Sequence, residues 1–144
     1  MKKQSGKEYK YVLDSSAFFA LFENEDGVET VQDLLEKAQR GDTIIFSSFV
    51  SYTEVFYVTY QEEGEEEAQR RVNLMNRLTI TRVDSSEELG LIAARLKAIH
   101  RISFADAWVA ATAIMLDAIL VHKDPEFEEV EDELEMLKLP YKKS

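Results

Sequence analysis

Four acidic side chains stand at the borders of apolar segments, and carboxylates in such places can bind metals or transfer protons. They are Asp14, Glu54, Asp106 and Asp124. Asp14 ends the apolar stretch "KYVL" and is followed at once by two serines and a second apolar run. A carboxylate directly after a buried strand lies where open α/β sheets bind their ligands. The same residue type also caps helix N-termini, so a mechanical explanation competes with the chemical one.

Capping can account for three of the acids, because acidic residues are favoured at helix N-termini without any catalytic purpose. Asp14 can cap the helix that follows it. Ser103 and Asp106 have the spacing of a capping box, in which the acidic side chain reaches back to the amide of the cap residue. Asp124 precedes Pro125, the usual order of an N-cap and a first-turn proline. The residue pattern leaves capping and chemistry open at these positions.

Glu54 differs, because helical spacing places Val50 and Val58 one turn to either side of it. A lone buried carboxylate costs several kcal/mol unless it is neutralised or paired, so Glu54 is predicted to need a partner such as a cation. With no cysteine and two histidines in the chain, the carboxylate oxygens favour Mg²⁺ or Mn²⁺. If the four acids converge, such ions would relieve their repulsion and activate water for phosphoryl chemistry.

Length and composition indicate one cytoplasmic domain. The 144 residues suit a single hydrophobic core, which we assign to residues 1–144 with a flexible N-terminal segment at 1–8. No apolar run reaches the roughly 18 residues of a membrane span, and nothing resembles a secretory signal. The net charge of −11 argues against broad attraction to nucleic-acid phosphates, so any RNA or DNA must be gripped locally. Basic residues do cluster at Arg95, Lys97 and Arg101.

Strand-like and helix-like segments alternate along the chain. Spacings of three or four residues predict helices at 28–40, 49–60, 65–78, 86–99 and Phe104–Leu116, with a short acidic helix at Pro125–Val130. Short apolar or β-branched runs predict strands at 9–13, 43–46, 79–83, 118–121 and 135–139. This order implies right-handed crossovers and a parallel sheet covered by helices on both faces.

Common catalytic signatures are missing from the sequence. The five glycines, at positions 6, 27, 41, 64 and 90, cannot build a P-loop or a dinucleotide-binding fingerprint. Neither a nucleophile elbow nor a pair of histidines at zinc spacing is present. The carboxylates at element ends are therefore the strongest candidates for chemistry.

At these carboxylates the chain resembles the PIN domain family of metal-dependent ribonucleases, many of them toxins of toxin-antitoxin modules. "VLDSSAFFALF" is similar to the family's opening strand and aspartate, and "SSFVSYTEVFYV" to its glutamate helix. "ISFADAWVAATAIML" is similar to its D-A helix, and "AILVHKDPEF" to its final strand and acidic loop. The second and third motifs together are the most specific part of the resemblance.

Carried over by position, the resemblance implies one or two Mg²⁺ or Mn²⁺ ions held by Asp14, Glu54, Asp106 and Asp124. It implies that the Ser16 hydroxyl orients the first aspartate or a bound water. One departure is His122, which stands where relatives usually have Thr or Ser. We interpret His122 as a partly buried structural residue, with a substrate contact as the alternative.

The resemblance also implies a three-layer α/β/α sandwich and an endoribonuclease that hydrolyses single-stranded RNA. It further implies a homodimer inhibited by a small antitoxin protein that threads through the active groove.

Three other hypotheses remain open. A non-catalytic PIN-like scaffold, or an RNA-processing partner in a larger complex, would keep the fold without the activity. A phosphoaspartate-forming domain also places an aspartate after its first strand, but it has no use for Glu54 and prefers a second acid where Ser16 stands. A metal-free ribonuclease could use His100 and His122 as acid and base.

Overall fold

The computed structural model describes residues 10–143, and the predicted flexible segment 1–8 lies outside that range. Within it the strands are β1 (Lys10–Leu13), β2 (Ile44–Ser48), β3 (Thr81–Val83), β4 (Ile119–His122) and β5 (Met136–Lys138). The helices are α1 (Ser15–Phe22), α2 (Val28–Gln39), α3 (Phe49–Glu63), α4 (Glu65–Arg77), α5 (Glu87–Ile99) and α6 (Phe104–Leu116), with a 3₁₀ helix at Pro125–Val130. The strands and helices that were predicted with a range therefore occur in the predicted order, and α1 is an additional helix between them.

The strands form one parallel sheet in the order β3-β2-β1-β4-β5. Central β1 pairs with β2 on one side, where Val12 faces Phe46, and with β4 on the other, where Leu13 faces Val121. After β1, the chain adds β2 and β3 on one side of it and then crosses over to add β4 and β5 on the other side. The carboxyl end of β1 is thus the topological switch point, where sheets of this kind bind ligands.

Both faces of the sheet are buried, and alternate residues of each central strand serve different cores. Val12 and Leu120 pack with residues of α5, α6 and the 3₁₀ helix, while Leu13 and Val121 pack with residues of α1 to α4. Because side chains alternate along a strand, one apolar run can fill two cores. This arrangement is the predicted three-layer α/β/α sandwich.

The element boundaries show what decides the local structure. The aromatic segment "FVSYTEVFYVTY" is helical, as its spacing predicts, with Ser48 capping α3 by accepting a hydrogen bond from the Val50 N–H. Gly64, with a φ of +96°, ends that helix. The predicted acidic helix at Pro125–Val130 is a 3₁₀ helix, and the strand predicted at 79–83 is only Thr81–Val83.

Within residues 10–143, no helix has both the length and the apolar character needed to cross a membrane.

Candidate metal centre

Asp14 stands at the end of central β1 and caps α1. Its N–H donates to the Val121 carbonyl at 3.0 Å, which fixes it against β4. Its Oδ2 accepts from the Ser16 N–H at 3.0 Å, the bond that caps the helix. Its Oδ1 is buried and has no hydrogen-bond partner among the described residues. Capping and chemistry are therefore not exclusive, because each can use a different oxygen of Asp14.

Ser16 joins the ends of β1 and β4. Its hydroxyl donates to Asp14 Oδ2 at 2.6 Å and accepts from the Lys123 N–H at 2.9 Å. The Lys123 ammonium is itself buried, 2.9 Å from the Asp26 carbonyl and 3.3 Å from Glu25 Oε1. A short bond to a carboxylate is among the stronger hydrogen bonds. Ser16 thus holds one oxygen of Asp14 in a fixed position.

Glu54 projects from α3 toward the same point. Its Oε1 accepts from the Ser15 hydroxyl at 2.9 Å, and the side chain is half-buried. The Ser15 hydroxyl is therefore one partner of Glu54, in addition to the cation that we predicted for it. The Glu54 side chain is also more exposed than its apolar neighbours in the sequence indicated. The remaining exposure leaves room for a ligand.

Asp106 sits in the first turn of α6, but it does not complete the predicted capping box. Ser103 caps the helix by accepting from the Asp106 N–H at 3.1 Å. The Ser103 N–H donates to Glu126 Oε2 at 3.1 Å, so Glu126 provides the acidic half of the box. That half of the prediction is wrong because a residue 23 positions away takes the bond. The Asp106 carboxylate is left to face the other acids.

Asp124 precedes the 3₁₀ helix and caps it as predicted. Its Oδ1 accepts from the Glu126 N–H at 2.9 Å, and Pro125 occupies the first turn. This cap holds Asp124 and Glu126 side by side at the carboxyl end of β4. Glu126 was not among the predicted site residues, although an acid two positions after a capping aspartate is a usable signal.

The structure brings the four predicted acids into one cluster with Glu126, in two groups that share Asp106. Carboxylate oxygens of Asp14, Glu54 and Asp106 all lie within 4.8 Å of one another. Oxygens of Asp106, Asp124 and Glu126 meet the same limit. We call these five residues the acidic cluster. Asp106 stands at its centre.

Crowding and burial hold several of these groups toward their neutral forms. Burial, followed by the charge of Asp14, raises the pKa of Glu54 to about 6. Burial is also the main reason that the pKa of Asp14 lies above its usual range. The pKa of Asp106 is raised by burial and by its hydrogen bond to Glu126, whose own pKa is lowered by that bond. Asp106 is therefore held toward its protonated form and Glu126 toward its charged form.

The donor set suits a hard divalent cation. Carboxylate oxygens are the ligands that Mg²⁺ and Mn²⁺ prefer, and the described residues around the cluster supply no sulfur ligand. The unpartnered Oδ1 of Asp14, in a residue only 2% exposed that belongs to the cluster, lacks the hydrogen bond that a buried oxygen needs. Asp14, Glu54 and Asp106 would hold one ion, and Asp106, Asp124 and Glu126 could hold a second.

His122 has no access to the cluster surface. It is fully buried, its Nδ1 accepts from the Asp124 N–H at 3.1 Å, and its ring packs against Phe127 and Tyr141. Burial lowers the pKa of His122 to about 4, so the ring is neutral at pH 7. The other histidine, His100, contacts Glu133 at 2.8 Å. A structural role for His122 fits this environment, and a catalytic histidine pair has no support here.

Sequence comparison matches residues 11–133 to the model of the PIN domain. The match covers every element from β1 to the 3₁₀ helix, and thus all five acids of the acidic cluster. No curated protein matches the chain in sequence.

Several solved structures share the fold. VapBC2 from Rickettsia felis, solved bound to a DNA fragment from its promoter, aligns with a TM-score of 0.73 and 18% identity over 90% of this chain and 98% of that chain. VapBC-1 from nontypeable Haemophilus influenzae gives 0.68 and 23% over 90% and 97%. VapC20 from Mycobacterium tuberculosis, described as a toxin that cleaves the sarcin-ricin loop, gives 0.65 and 17% over 82% and 92%.

Proposed function

The chain belongs to the PIN domain family, and on that premise we propose that it is a metal-dependent endoribonuclease that hydrolyses phosphodiester bonds of single-stranded RNA. The acidic cluster, at the switch point of the sheet, is the proposed active site. Asp14, Glu54, Asp106 and Asp124 are the proposed metal ligands, and Ser16 is the proposed residue that orients Asp14.

One observation carries this proposal. Oxygens of Asp14, Glu54 and Asp106 lie within 4.8 Å of one another, and the buried Oδ1 of Asp14 has no partner among the described residues. Like charges so close repel strongly in a partly buried site, and a divalent cation is the most effective way to offset that repulsion. Helix capping alone would explain Asp14 and Asp124, but it explains neither Glu54 nor the convergence.

The chain's own residues would prepare the site for a phosphodiester. Mg²⁺ or Mn²⁺, when bound, supplies a water of lowered pKa and positive charge for the phosphate oxygens. Ser16 holds one oxygen of Asp14 and Ser15 holds one oxygen of Glu54, which restricts how these two carboxylates can turn. Since the pKa of Asp106 is raised by burial and by Glu126, a cation that binds the charged form of Asp106 would displace a proton from the site.

The finer biology is proposed from the family and from the named structures. We propose that the protein is the toxin of a toxin-antitoxin pair, that a small antitoxin inhibits it, and that it acts as a homodimer in the cytoplasm. The similar structures from Rickettsia felis and Haemophilus influenzae are described as VapBC assemblies, which supports an antitoxin partner here.

Cleavage of RNA tests the proposal directly. Purified protein is incubated with structured and single-stranded RNAs in Mg²⁺, in Mn²⁺ and in EDTA, beside the Asp106→Asn variant. We expect internal cuts in single-stranded regions that need the metal and are lost in Asp106→Asn. Cleavage that persists in EDTA would contradict the metal dependence. Metal binding without cleavage of any RNA would instead favour the non-catalytic scaffold.

A further inference from the structure

An aromatic pocket opens beside the acidic cluster, between α3 and α6. The cavity has a volume of about 500 Å³, and its walls include Phe49, Glu54, Tyr57, Phe104, Ala105 and Trp108. We propose that this aromatic pocket binds the nucleobase next to the phosphodiester bond that is cut. The inference rests on the ribonuclease function proposed above and names a further part of the substrate that the protein recognises.

The pocket and the acidic cluster are continuous. Glu54 belongs to both, since it lines the pocket and its carboxylate lies with those of Asp14 and Asp106. Ala105, which also lines the pocket, is the neighbour of Asp106 in α6. A phosphate held at the cluster would therefore have its adjoining nucleoside at the mouth of the pocket.

The exposed rings of the pocket suit stacking on a base. The Phe104 side chain is 70% exposed and Tyr57 is 48% exposed. Covering large aromatic faces with another apolar surface removes them from water and lowers the free energy. Bases of single-stranded RNA have such faces, and proteins that bind them commonly stack aromatic side chains on them.

Trp108 gives the pocket a rigid wall. Its ring meets Phe49 edge-on at 5.3 Å between centroids and Phe104 at 6.3 Å. On its other side the ring lies so close to Gly90 that a Cβ there would come within 3.3 Å of it. A wall that is already fixed loses little conformational entropy when a ligand binds.

The polar groups of the pocket favour a base over a phosphate or an acidic peptide. Its lining residues, all in the described part of the chain, include no Lys or Arg, and the single charged member is Glu54. Thr53 and Ser85 add hydroxyl groups that can pair with the edge of a base. Lys97 lines a second groove, of about 310 Å³, that shares Phe104 and Trp108 with the pocket. The Lys97 ammonium in this second groove could contact the phosphate backbone of an RNA whose base lies in the pocket.

Trp108 is the only tryptophan of the sequence, so its fluorescence reports on ligands that reach this pocket or the adjoining groove that it also lines. The wild-type protein is titrated in EDTA and low salt, where no metal-dependent cleavage occurs, with a short single-stranded RNA and with the same strand carrying abasic riboses. We expect the RNA to quench Trp108 and the abasic strand to leave the signal nearly unchanged. Equal quenching by both strands would overturn the inference.

Variants at Phe104 separate base stacking from general effects. With active enzyme in Mg²⁺, Phe104→Ala should raise KM roughly tenfold with little change in kcat, since it removes an aromatic face on which the base stacks. Phe104→Trp should restore binding. Leu91→Ala is the matched control. It also removes an exposed apolar side chain, but this one lies in α5 and outside the pocket. An unchanged KM in Phe104→Ala would count against the base site.

The oligomeric state tests the alternative that a second copy of this chain, and not a base, covers the pocket. If sedimentation shows a dimer that Phe104→Ala converts to monomer, the pocket is covered by a second copy and the inference is wrong. Failure of the proposed function would look different. In that case the RNA still quenches Trp108 in a base-dependent way, but no strand is cut in Mg²⁺.

Discussion

The Ser16 hydroxyl lies 2.6 Å from Asp14 Oδ2, while the other oxygen of Asp14 is buried without a partner among the described residues. One carboxylate thus serves two purposes. Its Oδ2 caps α1 and is held by Ser16, and the same carboxylate group lies in the acidic cluster with Glu54 and Asp106. Because two hydrogen bonds hold Oδ2, the orientation of the whole Asp14 carboxylate is restricted before a cation binds.

Removing the hydroxyl of Ser16 should weaken metal binding without abolishing it. Loss of a group that orients a metal ligand typically costs roughly 10–100-fold in affinity, so we expect Ser16→Ala to bind Mn²⁺ more weakly by that order. Ser16→Thr keeps the hydroxyl and is the matched control. Isothermal titration with Mn²⁺ checks both. Equal affinities of Ser16→Ala and wild type would show that Ser16 has no orienting role.

Glu126 should contribute to the cluster although no sequence motif pointed to it. Glu126→Gln keeps a carbonyl oxygen for the Ser103 N–H but removes a charge from the group that contains Asp106 and Asp124. We expect Mn²⁺ affinity to fall on the order of tenfold, or one of two ions to be lost. Glu129→Gln, an exposed neighbour on the same 3₁₀ helix, should behave like wild type. The same titration gives both stoichiometry and affinity, and identical curves for the two variants would remove Glu126 from the site.

Glu54 should make the metal-free protein sensitive to pH. Its pKa is about 6 in the folded state against an ordinary value of 4.5, so the folded state favours the protonated form. Below about 4.5 the group is neutral in both states. Above about 6 it is charged in both, and the folded state bears the cost of the buried charge. Wild type should therefore lose stability relative to Glu54→Gln as the pH rises between these values.

Thermal melting in EDTA across that pH range measures this difference. Glu62→Gln, an exposed position on the same helix, provides the control for loss of one charge. A difference between wild type and Glu54→Gln that stays constant with pH would contradict the shifted pKa.

Much of the fold is readable from the sequence because local and global signals agree. The three-to-four spacing of Phe49, Tyr52 and Phe56 outweighed the strand propensity of their aromatic side chains, and α3 is indeed helical. Alternation of strands and helices was enough to predict the parallel sheet. Element boundaries that depend on tertiary contacts were harder to predict from the sequence. β2, for example, continues past the predicted end at 46 because Ser47 and Ser48 pair with residues of β3, 35 positions further along the chain.

The site was predictable where its residues end regular elements and unpredictable where distant residues meet. Asp14 and Asp124 follow strands, so topology alone brings them to one edge. The Ser103 N–H donates to Glu126, 23 residues away, and not to Asp106 as the capping box predicted. Such a contact forms only in the folded chain. The hydrogen bond between Ser15 and Glu54, 39 residues apart, is hidden from the sequence for the same reason.

Arg71 should be a major determinant of stability on the α4 side of the fold. Its side chain is buried and pairs with Glu23 at 3.1 Å, Glu63 at 3.0 Å and Glu67 at 2.9 Å, which joins α3 and α4 to the end of α1. Because these partners keep some solvent contact, we expect Arg71→Met to cost on the order of 2 kcal/mol, less than a fully buried network.

The neighbouring Arg70 is a matched control, since it pairs with Glu67 at 2.6 Å but remains exposed. We expect Arg70→Met to lower the free energy of unfolding much less than Arg71→Met, because water screens an exposed ion pair. Urea unfolding of both variants, with Mn²⁺ affinity measured in parallel, separates stability from the metal centre. Equal costs would mean that burial of Arg71 adds nothing to its ion pairs.

The central claim is that the acidic cluster binds divalent cations, and thermal melting under Mg²⁺ or Mn²⁺ titration tests it most directly. A ligand that binds the native state raises the melting temperature with the logarithm of its excess over the dissociation constant. We predict such a rise in the wild type and its absence in the Asp14→Asn, Asp106→Asn double variant. If the two proteins respond alike, or neither responds, the carboxylates are helix caps and the proposed metal centre is wrong.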